Sequence, residues 1–500
     1  MSRTNGLYLL AAAGLFLLAA PAGASYGIYV GRDLTADGSV LLGGTGDEVS
    51  SHWLEIVPRR THPEGATITV GVDDRATFPG QFIEIPQVAE TAKYITMNYT
   101  DFEGFPPPLT NGGLNEYGVA ARDIWSPSRQ ELRDMTPEPQ TGPSYSDLSR
   151  IVMERARTAR EAVEIVGALI DEYGYSTYGG NSHLFADVNE AWVLINFAGG
   201  QGLWIAERLA GDEVRMSYPG YILEIPTDFR SHPDYMGSAN FIAFAVAQGW
   251  YDPDSGAPFN VNAIYGNGEG RAEVVRLFEA RLRELARDKG VTLRDMMTAV
   301  RDPIISNDRN GYGQVAHLRP DLAHGELQML WVAPTGSVTA PFVPYWIAGS
   351  EVLPEYGKHR YLTRNQASTF VTPDFAIQEA SLFAGRLFKR LMYYTCDDPE
   401  RFLREVTEAL AAFEAGSIAA RAGIEARAVT LFRADESEMA RAVIDDYTAA
   451  RARAALELGH DLLGSIEARH RLLVGYRAPD KRHAIGTRHG AYVTCKTDSN

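Results

Sequence analysis

The first strand of this chain starts one residue after a cleavage signal, and that placement limits the folds open to it. Arg3 supplies one positive charge, an apolar run extends from Leu7 to Ala20, and Pro21-Ala22-Gly23-Ala24 follows. An apolar core too short to span a bilayer, ending in Ala22-x-Ala24, reads as a secretory signal peptide over residues 1–24. Cleavage after Ala24 leaves Ser25 as the first residue of a periplasmic or secreted chain. Tyr26-Gly27-Ile28-Tyr29-Val30-Gly31-Arg32 then alternates as a strand does. A turn at Thr35–Ser39 leads into Val40-Leu41-Leu42, so a hairpin is expected to begin at the mature terminus.

A serine in that place carries a free α-amine beside its own hydroxyl. The amine has an ordinary pKa of roughly 7.7–8.0, within reach of neutral pH. It can act as general base for its own side chain, the arrangement of an N-terminal Ser or Thr nucleophile. Small residues are also common after any signal cleavage, so the rest of the chain has to decide between chemistry and coincidence.

The bulk numbers exclude some classes. A net charge of −17 leaves no excess of Lys and Arg to neutralise phosphates, so no nucleic-acid partner is expected. No second apolar stretch reaches membrane-spanning length, so no stable membrane anchor is expected. The two cysteines, Cys396 and Cys495, lie far from the mature terminus and lack the spacing of a metal site. They are either one disulfide tying the C-terminal tail to a helix or two free thiols.

Along the chain, strands are expected at Trp53–Val57, Ala66–Val70 and Tyr94–Asn98, with a second hairpin across Leu109–Arg122. Ser126–Gly142 is polar and proline-bearing and reads as a surface loop. Helical spacing predicts one helix over Tyr145–Tyr173 and another over Ala272–Lys289, with strands at His183–Asp187, Ala191–Ala198, Gly202–Arg208, Gln314–Leu318 and Leu327–Val332. From Asp374 to Leu473 the chain is rich in Ala, Glu, Arg and Leu and reads as long packed helices carrying no chemistry. The divisions expected are a signal peptide (1–24), a main domain (25–355), a helical C-terminal region (356–480) and a tail (481–500).

Several blocks, in order, resemble the dipeptidase family of N-terminal-nucleophile (Ntn) hydrolases, relatives of penicillin V acylases, bile salt hydrolases and secernins. They are Ser25–Ser39 with its Ala-Asp-Gly-Ser turn, Ile85-Pro86-Gln87-Val88, Asn111–Ala120, Arg157–Ala162, Ala186–Trp192 and Leu318–Leu322. The resemblance implies an α+β fold, the αββα sandwich of Ntn hydrolases, here with a C-terminal helical region. It implies Ser25 as nucleophile, although the family's usual residue is cysteine. Asp47, 22 residues on, matches an Asp that contacts the N-terminal amine. Asn115 matches an oxyanion-hole Asn, and Arg276, five residues after Arg271, matches an Arg supporting the nucleophile pocket. Two positions depart from the pattern. Gly44 stands where relatives often carry Arg, and Pro219 stands where a second oxyanion Asn is expected, so the second donor is expected from a backbone N–H or another side chain, Asn181 being one candidate by nearness in sequence alone.

The expectation is therefore an exported amidohydrolase, a dipeptidase acting on short peptides, with no metal and no organic cofactor. An acylase of N-acyl amides and a non-catalytic periplasmic binding protein are the alternatives. The partners expected are a short peptide or N-acyl amide substrate, and self-association into a homo-oligomer is left open.

Overall fold

The computed structural model describes residues 25–47, 52–100, 104–358, 383–475 and 493–496. Residues 1–24, expected from the sequence to be a signal peptide, lie outside the described residues. Fourteen strands build two antiparallel sheets that face each other. In chain order they are β1 (Tyr26–Val30), β2 (Val40–Gly46), β3 (His52–Val57), β4 (Tyr94–Tyr99), β5 (Leu109–Asn115), β6 (Ala120–Trp125) and β7 (Asn181–Ala186). Then follow β8 (Ala191–Asn196), β9 (Trp204–Leu209), β10 (Val214–Ser217), β11 (Tyr235–Gly237), β12 (Tyr312–Leu318), β13 (Met329–Ala333) and β14 (Val343–Trp346). The first sheet runs β10-β1-β2-β12-β13-β14 and the second β11-β9-β8-β7-β6-β5-β4-β3.

Successive side chains on a strand point to opposite faces, so each strand supplies two cores. Tyr29 and Leu42 of the first sheet meet Ile95, Leu114, Ile124 and Leu184 of the second in a core between the sheets. The alternate residues Ile28, Val30 and Leu41 face outward, onto helices α3 (Glu273–Lys289) and α4 (Leu293–Val300) through Val275, Phe278, Met296 and Val300. Ala121, Phe185 and Trp192 face the other way, onto α1 (Tyr145–Arg155) and α2 (Ala159–Tyr173). Three cores between four layers make the αββα sandwich that the resemblance implies. At Gly27 the sheets come close: a Cβ there would stand 3.0 Å from Leu184 Cδ2 and 3.3 Å from Ile124 Cδ1.

The helix expected over Tyr145–Tyr173 is two helices. The side-chain amide of Asn115 donates to the carbonyls of Met153 and Ala156, ending α1. Thr158 then caps α2 by accepting from the Glu161 amide, and Asp187 accepts from the Ala159 amide. A local cap, Thr158, together with groups brought from a distant strand and loop thus breaks a continuous helical pattern. Ser126–Gly142 is also not a simple surface loop. Leu132, Ser126, Ser128 and Gln140 are buried, and Gln140 donates to Phe78 O and Thr177 O.

The C-terminal helices α5 (Ala384–Asp397), α6 (Pro399–Arg433) and α7 (Ser437–Val474) extend the outer core of the first sheet with Phe388, Leu391, Val406, Leu410, Ile444 and Ile466. Buried Arg301 pairs with Glu414 of α6, and Arg319 with Glu425. Arg421 contacts His317 Nδ1, whose Nε2 reaches Asp37 Oδ2 at 3.0 Å. The two cysteines form a disulfide, Cys396–Cys495, with Cα atoms 4.3 Å apart. Among the described residues, no helix is long and apolar enough to cross a membrane.

Candidate active site

Ser25 sits immediately before β1, 8% exposed, at the edge of the inter-sheet space. The hairpin register pairs Tyr26 with Thr45 and Gly27 with Gly44. This register carries the end of β2 past Ser25, and the backbone N–H of Asp47 donates to Ser25 Oγ at 3.0 Å. A sequence separation of 22 thus becomes a contact because the strand pairing folds the chain back on itself. The Asp47 side chain is buried. Its Oδ1 accepts a long hydrogen bond from Asn310 Nδ2 at 3.4 Å and lies 3.7 Å from Arg309 Nε.

Arg309 and Asn310 belong to the turn that enters β12. Asn307 Oδ1 accepts from the Arg309 amide at 2.9 Å, and Asn310 Oδ1 accepts from the Asn307 amide at 2.8 Å. Gly311 N donates to Gly46 O at 2.9 Å, fastening the turn to β2 next to Asp47. The His52 ring lies flat against Gly311, where a Cβ would meet it at 2.1 Å, and it stacks on Tyr99. Asn-rich turns of this kind hold their own backbone through side-chain acceptors, so the loop is pre-shaped before it meets Asp47.

Below the site, Arg122 enters from the second sheet. Its Nη2 donates to Thr45 O at 2.7 Å and its Nη1 to the Tyr312 hydroxyl at 2.6 Å. Tyr312 in turn donates to Asn111 Oδ1, and Asn111 donates to Asp123. Position 44 of β2 has no room for a cationic side chain: a Cβ there would fall 2.2 Å from Tyr26 O. The positive charge next to this strand therefore reaches it from across the sandwich. Burial first and the Asp47 charge second push the Tyr26 phenol well up, so it remains a neutral donor to Val300 O at 2.5 Å.

A second ionisable pair lies behind the turn. Burial pulls Lys389 of α5 down to about 8, against the opposing charges of Asp308 and Asp47. Burial raises Asp308 to about 6, with Lys389 acting in the opposite direction.

Of the four site residues expected from the sequence, the fold brings two together, Ser25 and Asp47. Asn115 is elsewhere. Its Nδ2 serves Met153 O and Ala156 O, and its Oδ1 accepts from the Tyr117 and Val119 amides. It closes the β5–β6 turn, whereas Gly27 beside Ser25 faces Arg122 and Ile124 toward the other end of β6. With its amide fully engaged at the wrong end of the strand, Asn115 is not an oxyanion donor. Arg276 is exposed on α3, whose buried face is Val275, Phe278 and Leu282, and it donates to Arg271 O. It is a helix-surface arginine that braces a loop. Asn181, the substitute considered for the second donor, engages Tyr178 and His183 within its own neighbourhood. Near Pro219, the Tyr218 ring meets Tyr26 edge-on, and Gly220 N donates to Ser126 Oγ.

The residues that sequence reading missed are Arg122, Tyr312, Arg309 and Asn310. Two signals pointed to them. Arg122-Asp123 is a charged pair inside an apolar strand, Ala120-Ala121 before it and Ile124-Trp125 after it. Asn307-Asp308-Arg309-Asn310 is an unbroken polar run at the mouth of a strand, and it is buried almost throughout.

Residues 24–277 match Peptidase family C69, about half of the chain and with a start that falls one residue before Ser25. The chain belongs to this family. It is similar to the dipeptidase of Bifidobacterium longum (38% identical over 217 residues, 39% of this chain and 37% of the relative). It is also similar to a probable dipeptidase of Salmonella dublin (26% over 237 residues; 46% and 50%) and to probable dipeptidase B of Streptococcus pyogenes serotype M3 (25% over 224 residues; 43% and 40%). The chain thus spans half or less of the length of these curated relatives. Two solved structures of the conjugated bile acid hydrolase from Clostridium perfringens align at 10% and 9% identity with TM-scores of 0.29 and 0.31. They cover 65% and 69% of this chain and 95% and 98% of theirs.

Proposed function

We propose that this member of family C69 is an exported amide-bond hydrolase of the Ntn type, a dipeptidase whose nucleophile is Ser25 after removal of residues 1–24. The observation that carries the reading is the contact between the Ser25 hydroxyl and the Asp47 backbone, at the start of a strand that follows a signal-peptide pattern. The dipeptidase names of the family relatives favour short peptides as substrates. The disulfide suits an oxidising compartment.

In this reading the α-amine of Ser25 takes the hydroxyl proton and Oγ attacks the peptide carbonyl. The ammonium formed returns its proton to the leaving amine, and water hydrolyses the ester by the reverse sequence. Asp47 tunes the amine: a nearby carboxylate stabilises the ammonium, and Arg309 and Asn310 hold that carboxylate in place. The turn around Asn115 has no part in this step.

The test is the mature protein itself. N-terminal sequencing of the exported chain should start at Ser25, and a dipeptide panel should be hydrolysed where N-acyl amino acids are not. Ser25→Ala should lose turnover by at least about 10⁴-fold while keeping its melting temperature. A terminus elsewhere, or turnover by the alanine variant near that of wild type, removes the Ntn mechanism.

A further inference from the structure

The turn that supports Asp47 is itself held by the far end of the chain. Asp308 N donates to Val493 O at 3.2 Å, and Val493 N donates to Asp308 Oδ1 at 3.0 Å. Asn307 and Thr494 form an antiparallel bridge beside this pair. Cys495, fully buried, follows at once and is bonded to Cys396 on α5. The same helix carries Lys389, the buried ammonium whose charge favours the Asp308 carboxylate. Four residues of the C-terminal tail, Val493–Lys496, are therefore tied covalently to α5 and by hydrogen bonds to the turn.

The consequence for the site is direct. Asp308 lies between Asn307, whose side chain shapes the turn, and Arg309-Asn310, which reach the Asp47 carboxylate. Gly311 then bonds to Gly46, next to Asp47. A shift of the turn would pass to Asp47 and, through its backbone N–H, to Ser25 Oγ. Positioning errors of about 1 Å at such a site can cost on the order of a hundredfold in rate.

We propose that Asp308 and the tail segment Val493–Lys496, anchored by the Cys396–Cys495 disulfide, are positioning elements of the Ser25–Asp47 site, so that full activity requires the disulfide. This proposal rests on the hydrolase reading above, and it adds a dependence on redox state that the Ser25–Asp47 contact alone does not supply. Asp308 acts through its neighbours and touches no substrate.

The experiment compares the full mature chain in its oxidised form, the same chain reduced with a water-soluble phosphine, and the Cys396→Ser/Cys495→Ser double variant. Reduction adds two electrons and two protons to the S–S bond to give two thiols, and the phosphine leaves as its oxide. Hydrogen exchange is followed at residues 306–311 and 45–47, and kcat and KM are measured on a dipeptide. Opening the clamp should raise exchange in both segments about tenfold and lower kcat about tenfold with KM within about twofold. Asp308→Ala should behave like the reduced protein, whereas Asp308→Asn, which keeps an oxygen to accept the Val493 N–H, should recover most of kcat. Exchange unchanged in both segments after reduction overturns the proposal, and so does faster exchange with kcat unaltered. If the oxidised chain hydrolyses no peptide, the hydrolase reading fails, and the exchange difference alone then decides whether the tail clamps the turn.

Discussion

Two polar corners of the sandwich, built from similar residues, have different fates. At one, Asn115 closes the β5–β6 turn and spends its amide on four backbone partners, two of them the terminal carbonyls of α1. At the other, the Ser25 hydroxyl accepts from the Asp47 backbone N–H, and the Asp47 carboxylate meets a turn of polar side chains, with Arg122 bonded to Thr45 O nearby. The first corner is closed on itself: its hydrogen bonds all serve the backbone. The second presents a hydroxyl at the rim of the core, with 8% of Ser25 still exposed. Burial and polarity alone do not mark a reactive site. What differs is that Asn115 spends every hydrogen bond of its amide on the backbone, whereas the second corner also joins side chain to side chain, Asn310 to Asp47, and leaves a hydroxyl at the rim.

Three substitutions test this contrast. Asn115→Ala should be the most damaging to stability. It leaves two helix-end carbonyls and two turn amides without their partner, an expected loss of about 3 kcal/mol by chemical denaturation. The fraction that stays folded should keep wild-type kcat. A stable Asn115→Ala protein with kcat reduced a hundredfold or more would return Asn115 to the reacting centre and break the contrast.

Asp47→Asn should act in the opposite sense, on chemistry more than on folding. In the proposed mechanism the Asp47 carboxylate faces the Ser25 amine and favours its ammonium form. Removing that charge makes the ammonium easier to deprotonate, so the acid limb of the kcat/KM profile should move to lower pH. An acid limb that stays in place, or moves up, would mean that Asp47 does not face the amine in the mature enzyme.

Arg276→Ala should do least. The side chain is exposed and makes one backbone contact, so stability should change by no more than about 0.5 kcal/mol and kcat should hold. A tenfold loss in kcat would place this arginine in the pocket after all and sharpen the map of the site on its α3 side.

Much of this molecule was legible as a line of residues. Alternation in Tyr26–Arg32 and the Asp37-Gly38 turn gave the opening hairpin, because a period of two and a turn former are local properties. Asp47 was pointed to by the family resemblance, and the register of the hairpin is what carries it beside Ser25. The Ala-, Glu-, Arg- and Leu-rich stretch from Asp374 to Leu473 pointed to the C-terminal helices, of which Ala384–Asp397, Pro399–Arg433 and Ser437–Val474 are described. The family resemblance supplied the four-layer order, but it transferred Asn115 and Arg276 to roles their surroundings do not permit.

What the sequence by itself determined, then, is the hairpin, the helices and the place of Ser25 just before the first strand, each fixed by neighbours a few residues to a few tens of residues away. What only the tertiary structure decided is which groups surround Ser25 and Asp47. Asn310 reaches Asp47 across 263 positions of sequence, and Arg122 reaches Thr45 across 77. The break between α1 and α2 was only half legible: Thr158-x-x-Glu161 is a local start signal for α2, but the amide that ends α1 comes from a strand. The choice between a disulfide and two thiols was settled when α5 and the tail came within bonding distance. Local periodicity carries no information about such meetings, which follow from how two sheets and their covering helices pack.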